Sequence, residues 1–221
     1  NYLGVWLVML AAATFGLTVT EERRPFQIAG YAALAVMLVA FTWTYSRAAV
    51  LALLVAVVVL TWKVTWRAPL LLLPVLVAAP LYLFPVDVYR FRHVGATDGG
   101  RIASAQRTVE SLKERFWLGH GPGTRGLADL NYAKIGYETG ALGLAAFAWL
   151  LFSAVRPALT RVAPPAETAR LRGALLAGMA GMAAAAVGGE VWETPQLAFY
   201  FWMLAGLASV LASPQPLAVE G

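Results

Sequence analysis

The side chains with chemical capacity gather in one polar stretch, residues 98–143, of an otherwise apolar chain. It carries the cations Arg101, Arg107, Lys113, Arg115, Arg125 and Lys134, the carboxylates Asp129 and Glu138, and His120 inside a glycine-rich turn. Guanidinium forks match anionic oxygens two at a time. A carboxylate that is placed and tuned takes a proton from an attacking hydroxyl, and histidine titrates near neutrality. The turn Gly119-His120-Gly121-Pro122-Gly123-Thr124 lacks the Gly-Lys-Ser/Thr ending of a phosphate loop, so nucleotide binding is not supported. Cysteine is absent, which excludes a thiol nucleophile, a disulfide framework and a cysteine-ligated metal.

The elements that position this stretch are hydrophobic runs. The chain has 221 residues, 60% hydrophobic and 13% charged, where a soluble domain carries roughly 25% charged residues. Apolar runs cover residues 2–20, 26–43, 48–62, 68–85, 132–155, 173–187 and 196–212. Each approaches the roughly 20 residues that cross a bilayer, and none alternates as a barrel strand would. The expected fold is therefore all-α and integral to the membrane, with about seven transmembrane helices. Four would occupy residues 1–85, a large extracytoplasmic loop residues 86–131, and three helices and a tail residues 132–221. Prolines 69, 74, 80 and 85 predict kinks in the fourth run. Gly140, Gly143, Gly178 and Gly181 suit close helix packing. The chain begins at Asn1 inside an apolar run without a signal-peptide pattern, and reads as part of a longer protein.

Topology follows from Lys and Arg. One alternate set of connections holds Arg23, Arg24, Lys63, Arg67, Arg156, Arg161, Arg170 and Arg172. The short connections of the other set hold only Arg47. The first set is expected in the cytoplasm, which puts the polar stretch outside. That stretch and its lead-in, with Arg90 and Arg92, are themselves cationic. A long loop is exempt from the charge rule; the alternative is that this charge serves an anionic ligand on the outer face. Net charge +5 in a membrane chain speaks for topology and anionic lipid rather than nucleic acid. Within the stretch, Ile102, Ala105, Val109, Leu112 and Phe116 share one helical face, predicting an amphipathic helix from Arg101 to Trp117 that Gly119 ends.

The order of motifs resembles a family. Ser46-Arg47-Ala48 at the outer start of a helix is similar to a Ser-Arg-small motif, and Arg101 opens the amphipathic helix. Trp117-Leu118-Gly119-His120-Gly121-Pro122-Gly123 resembles a Pro-Leu-Gly-x-Gly-Pro-Gly turn. Glu138-Thr139-Gly140-Ala141-Leu142-Gly143 resembles Glu-x-Gly-x-x-Gly. Together, over about residues 44–212, they resemble the O-antigen ligase and O-antigen polymerase superfamily, bacterial membrane glycosyltransferases of the GT-C type. Ligase members carry His nine positions before that Glu. Here the position is Asp129, as in polymerase-like members.

The resemblance implies an enzyme of the bacterial cytoplasmic membrane that handles a polyprenyl-pyrophosphate-linked glycan donor on its outer face. A glycan or lipid would be the acceptor, with neither metal nor cofactor. In that setting Arg101, Arg47 and Arg125 are candidates to hold the leaving pyrophosphate. Arg47 is equally read as an interfacial arginine snorkelling to water. Arg101 is otherwise a solvated helix-start residue. Asp129 is the candidate general base or the N-cap of the fifth helix. Glu138 would be costly in lipid unless it faces a polar cavity, and would orient an arginine. Ser46, His120, Asn131 and Tyr132 are candidate substrate contacts, with Asn131 and Tyr132 alternatively fixing the loop. His93 and His120 otherwise read as surface or turn residues. Glu190, Trp192 and Glu193 lie on the same side. A carrier of lipid-linked glycan or a membrane scaffold are the competing readings; the first would place paired charges within helices.

Overall fold

The computed structural model describes residues 2–72, 113–123, 130–159 and 165–213, together with Gln106 and Glu110. These residues form six α-helices: α1 (Tyr2–Thr20), α2 (Arg24–Thr42), α3 (Arg47–Lys63), α4 (Asn131–Leu159), α5 (Ala166–Ala185) and α6 (Pro195–Ala212), with a 3-10 turn at Ala68–Leu72. No strand occurs among the described residues. Of the seven expected spans, the fourth lies outside the described residues beyond the 3-10 turn. So do the prolines at 74, 80 and 85 and most of the amphipathic helix.

Among the described residues four helices, α1, α2, α4 and α6, are long and apolar enough to cross a membrane. The other two, α3 and α5, fall short in length or carry charge near an end. α3 has only 17 residues, and α5 begins at Ala166 with Glu167, Arg170 and Arg172 in its first turns. That corrects the sixth run, expected from residue 173. Arg172 looks like part of a basic connector because hydropathy registers only its charge. In the fold it is buried, and its guanidinium donates to the Pro157 carbonyl at 2.6 Å. The last carbonyls of α4 thereby gain a cation at their negative dipole end. α5 is the bundle's centre: Ala174, Ala177, Met179, Met182 and Ala185 are fully buried.

Small residues bring the inner helices together. A Cβ at Gly181 of α5 would sit 2.8 Å from the Ala52 carbonyl of α3, and one at Gly4 of α1 2.6 Å from the Ala49 Cβ. Lipid offers no hydrophobic drive between helices, so this close backbone approach supplies the packing energy.

The helix ends sort into two groups. At one end Gly173 packs on Lys63 and Val64, Arg172 reaches Pro157, and Glu21, Glu22, Arg23 and Glu167 line a common cavity. At the other, Gly189 packs near Ala48, and Asn131 bonds to the α5–α6 connection. α3 thus ends at the basic end, and α4 begins with Asn131 at the opposite end. Trp62 and Trp66 stand 72% and 76% exposed at the basic end beside Lys63 and Arg67, and Trp43 is 66% exposed at the other. Exposed indoles at both ends, with Val36, Val39, Leu54, Val58 and Leu207 exposed between them, are the signature of a lipid-facing belt.

Candidate functional site

The fifth run, expected as an unbroken helix, folds back on itself. Gly140 has φ 68° and ψ −169°, inside α4. This backbone region is essentially glycine-only. The rings of Tyr132 and Phe147 lie 6.3 Å apart, whereas the intervening rise along a straight helix would be roughly 22 Å. The arms 131–139 and 141–159 therefore lie against one another.

The glycine turn docks into this break. The Gly119 amide donates to the Arg115 carbonyl and closes the preceding turn. His120 N–H donates to the Tyr137 carbonyl at 2.9 Å and Gly121 N–H to the Glu138 carbonyl at 3.0 Å. In return Ala141 N–H donates to the Phe116 carbonyl at 2.8 Å. The backbone groups that the break at Gly140 leaves without helical partners are thus satisfied across the turn, which a buried break requires. Gly119 also has a positive φ, 66°. A Cβ there would stand 2.6 Å from the Glu138 carbonyl and the Gly140 amide, and one at Gly140 would strike the Trp117 carbonyl. The two glycine motifs form one clasp.

Glu138 fastens it further, accepting from Gly123 N–H at 3.2 Å. His120 stacks on Tyr137 with ring centroids 4.3 Å apart and planes 13° from parallel. Its Nδ1 is buried without a hydrogen-bond partner among the described residues. The imidazole, a candidate substrate contact from the sequence, therefore holds an open valence at the clasp.

A second junction ties the inner arm of α4 to the connection between α5 and α6. Asn131 is buried; its Oδ1 accepts from Trp192 N–H at 2.9 Å, and its Nδ2 donates to Glu193 at 3.4 Å. Lys134 pairs with the other Glu193 oxygen at 2.8 Å. Glu138 and Glu190 also lie within electrostatic reach of Lys134. The Tyr132 hydroxyl donates to the Ala183 carbonyl at 2.7 Å. The Trp192 indole wedges edge-on between Phe147 and Phe201. Of the two roles weighed for Asn131 and Tyr132, these bonds display the loop-fixing one.

Ser46 is buried and caps α3, its hydroxyl accepting from Ala49 N–H at 3.3 Å. Preceding it, Tyr45 holds a left-handed φ of 47°, a conformation costing roughly 1–2 kcal/mol for a residue with a Cβ. Together they set Arg47, exposed, at the first position of α3. Ala48 reaches the Gly188-Gly189 turn. Ser46-Arg47, the α5–α6 connection and Asn131 to Lys134 therefore share one end of the bundle. Arg101, Arg125 and Asp129 lie outside the described residues. Among those described, no group of three His, Asp or Glu side chains is arranged to hold a metal.

Glu193 and Lys134 join this junction without any signal in the sequence that pairs them. Their separation of 59 residues hides the pair.

Fold and site together define a helical protein with four helices long and apolar enough to cross a membrane and a glycine clasp at one end, among the described residues. The family model described as O-antigen ligase matches residues 32–148, which takes in α3, the clasp and most of α4. The chain belongs to the O-antigen ligase family, a family of inner-membrane proteins acting in polysaccharide assembly. Comparison with curated proteins and with solved structures finds no match.

Proposed function

We propose that this chain is the part of a membrane glycosyltransferase that transfers or polymerises a polyprenyl-pyrophosphate-linked glycan at the clasp end, on the extracytoplasmic side. The observation that carries this reading is the clasp itself: both glycine motifs named by the family resemblance meet there, backbone to backbone. A rigid turn with an open histidine valence, set beside Arg47's end of the bundle, suits the positioning of a bulky lipid-linked donor. Arg101, Arg47 and Arg125 would hold the pyrophosphate as charge develops on it. Asp129 would accept the proton of the acceptor hydroxyl. Glu138, spent on Gly123, would orient the turn rather than touch the sugar. Asp129 in place of histidine favours polymerisation over ligation.

The described part of the site holds Lys134 among Glu138, Glu190 and Glu193, so the cationic character this reading needs comes from Arg47, Arg101 and Arg125. The decisive experiment incubates purified protein with a polyprenyl-pyrophosphate oligosaccharide and resolves products by length. Ladder products mean polymerisation; single-step transfer to a lipid acceptor means ligation. Arg101→Ala is expected to lower the rate about 10- to 100-fold, since hydrogen bonds to charged groups are each worth roughly 1.5–3 kcal/mol. Wild-type rates from a well-folded variant would remove Arg101 from the site.

A further inference from the structure

A separate cavity lies at the basic end, away from the clasp. A cavity of about 700 Å³ opens between α1, α2 and the corner joining α3 to the 3-10 turn. Its lining is divided by chemistry. Phe15 and Val19 of α1, Leu34 and Leu38 of α2, and Leu70 make an apolar wall. Gln27, Tyr31, Thr65, Arg67 and Arg170 supply polar and cationic groups, and no Asp or Glu lines it. The carboxylates of this end, Glu21, Glu22 and Glu167, line a separate cavity with Arg23.

The division follows depth. Gln27, Tyr31, Leu34, Ala35 and Leu38 follow one face of α2, so polar groups give way to apolar ones over roughly 16 Å of helix. The polar end lies level with Trp66, which Arg67 overlies at 5.5 Å, and an exposed Trp marks the membrane interface. The cavity thus has two cations at headgroup depth and an apolar channel descending into the hydrocarbon.

We propose that this cavity binds one anionic glycerophospholipid, with its phosphate between Arg67 and Arg170 and an acyl chain along Leu34, Ala35 and Leu38. A zwitterionic lipid brings its own cation to the two arginines and is disfavoured there. Basic pockets between helices are a recognised means of holding anionic headgroups.

Native mass spectrometry of the detergent-solubilised protein with equimolar phosphatidylglycerol and phosphatidylethanolamine tests this. One phosphatidylglycerol should be retained at least tenfold over phosphatidylethanolamine. The pair R67Q and R170Q should abolish the preference, and R67K with R170K should keep it. Ala35→Phe, which fills the channel and leaves both charges, should lower retention of either lipid. Equal retention of the two lipids by the wild type, or an intact preference in the glutamine pair, overturns the proposal. Displacement of the lipid by millimolar inorganic phosphate would instead mark a simple anion site and equally overturn it.

Discussion

Gly119 and Gly140 carry the tightest constraint on any single position. Each pairs a positive φ with a neighbour's backbone where a Cβ would stand. Alanine at either must both adopt a disfavoured conformation, roughly 1–3 kcal/mol, and push main chain away. Gly121 and Gly123 share the positive φ but face open space. Thermal unfolding in detergent should therefore rank Gly140→Ala and Gly119→Ala well below Gly121→Ala and Gly123→Ala; equal losses would mean that the clasp is not close-packed. Asn131 and Lys134 make a similar contrast. Asn131→Ala removes a buried amide and leaves the part-buried Trp192 N–H without its acceptor, costing roughly 1–3 kcal/mol. Lys134→Met breaks a pair whose side chains are 26% and 43% exposed, worth roughly 0–1 kcal/mol once solvent screens it. A urea titration in which Lys134→Met is the more damaging would contradict the hydrogen-bond assignment.

At the scale of elements, α5 organises the bundle through residues small enough to admit its neighbours. Gly181→Leu should force α3 and α5 apart at Ala52 and cost roughly 1–3 kcal/mol, since overpacking displaces backbone where no flexible side chain can yield. The same substitution at Gly206 of α6, which meets nothing within 4 Å, should be tolerated; comparable losses at both would refute the assigned centre. The break in α4 explains why one apolar run serves two purposes. Its second arm has the length and hydropathy of a span, while its first arm carries Asn131, Tyr132 and Glu138 to the clasp. A continuous helix would move Tyr132 well away from Phe147 and from its bond to Ala183.

For the whole molecule, the two ends differ in chemistry as well as position. One gathers Lys63, Arg67, Arg170 and Arg172; the other holds Ser46-Arg47, the clasp and the Asn131–Glu193 junction. With no native cysteine, single cysteines can report sidedness. Glu22→Cys and Gly123→Cys are expected to react with an impermeant maleimide from opposite faces of the membrane, Glu22 from the cytoplasm. Labelling of both from one face would reverse the site's placement.

Composition and run length were enough to read helices, their approximate bounds and a membrane setting, because each depends on local hydrophobicity accumulated over about 20 residues. Residue order was enough to bring out the motifs at Ser46-Arg47, at residues 117–123 and at residues 138–143, and the family they share. What needed the tertiary structure was every feature made by partners distant in sequence. Gly140 reads as a packing glycine until the turn at Gly119 is seen to fill its break. Arg172 reads as a loop charge until the Pro157 carbonyl is seen to meet it. Glu193 has no visible role until Asn131 and Lys134 reach it. Hydropathy adds over neighbours, whereas a backbone break, a buried cation or a pair across 59 residues is stable only through the groups that folding brings to it.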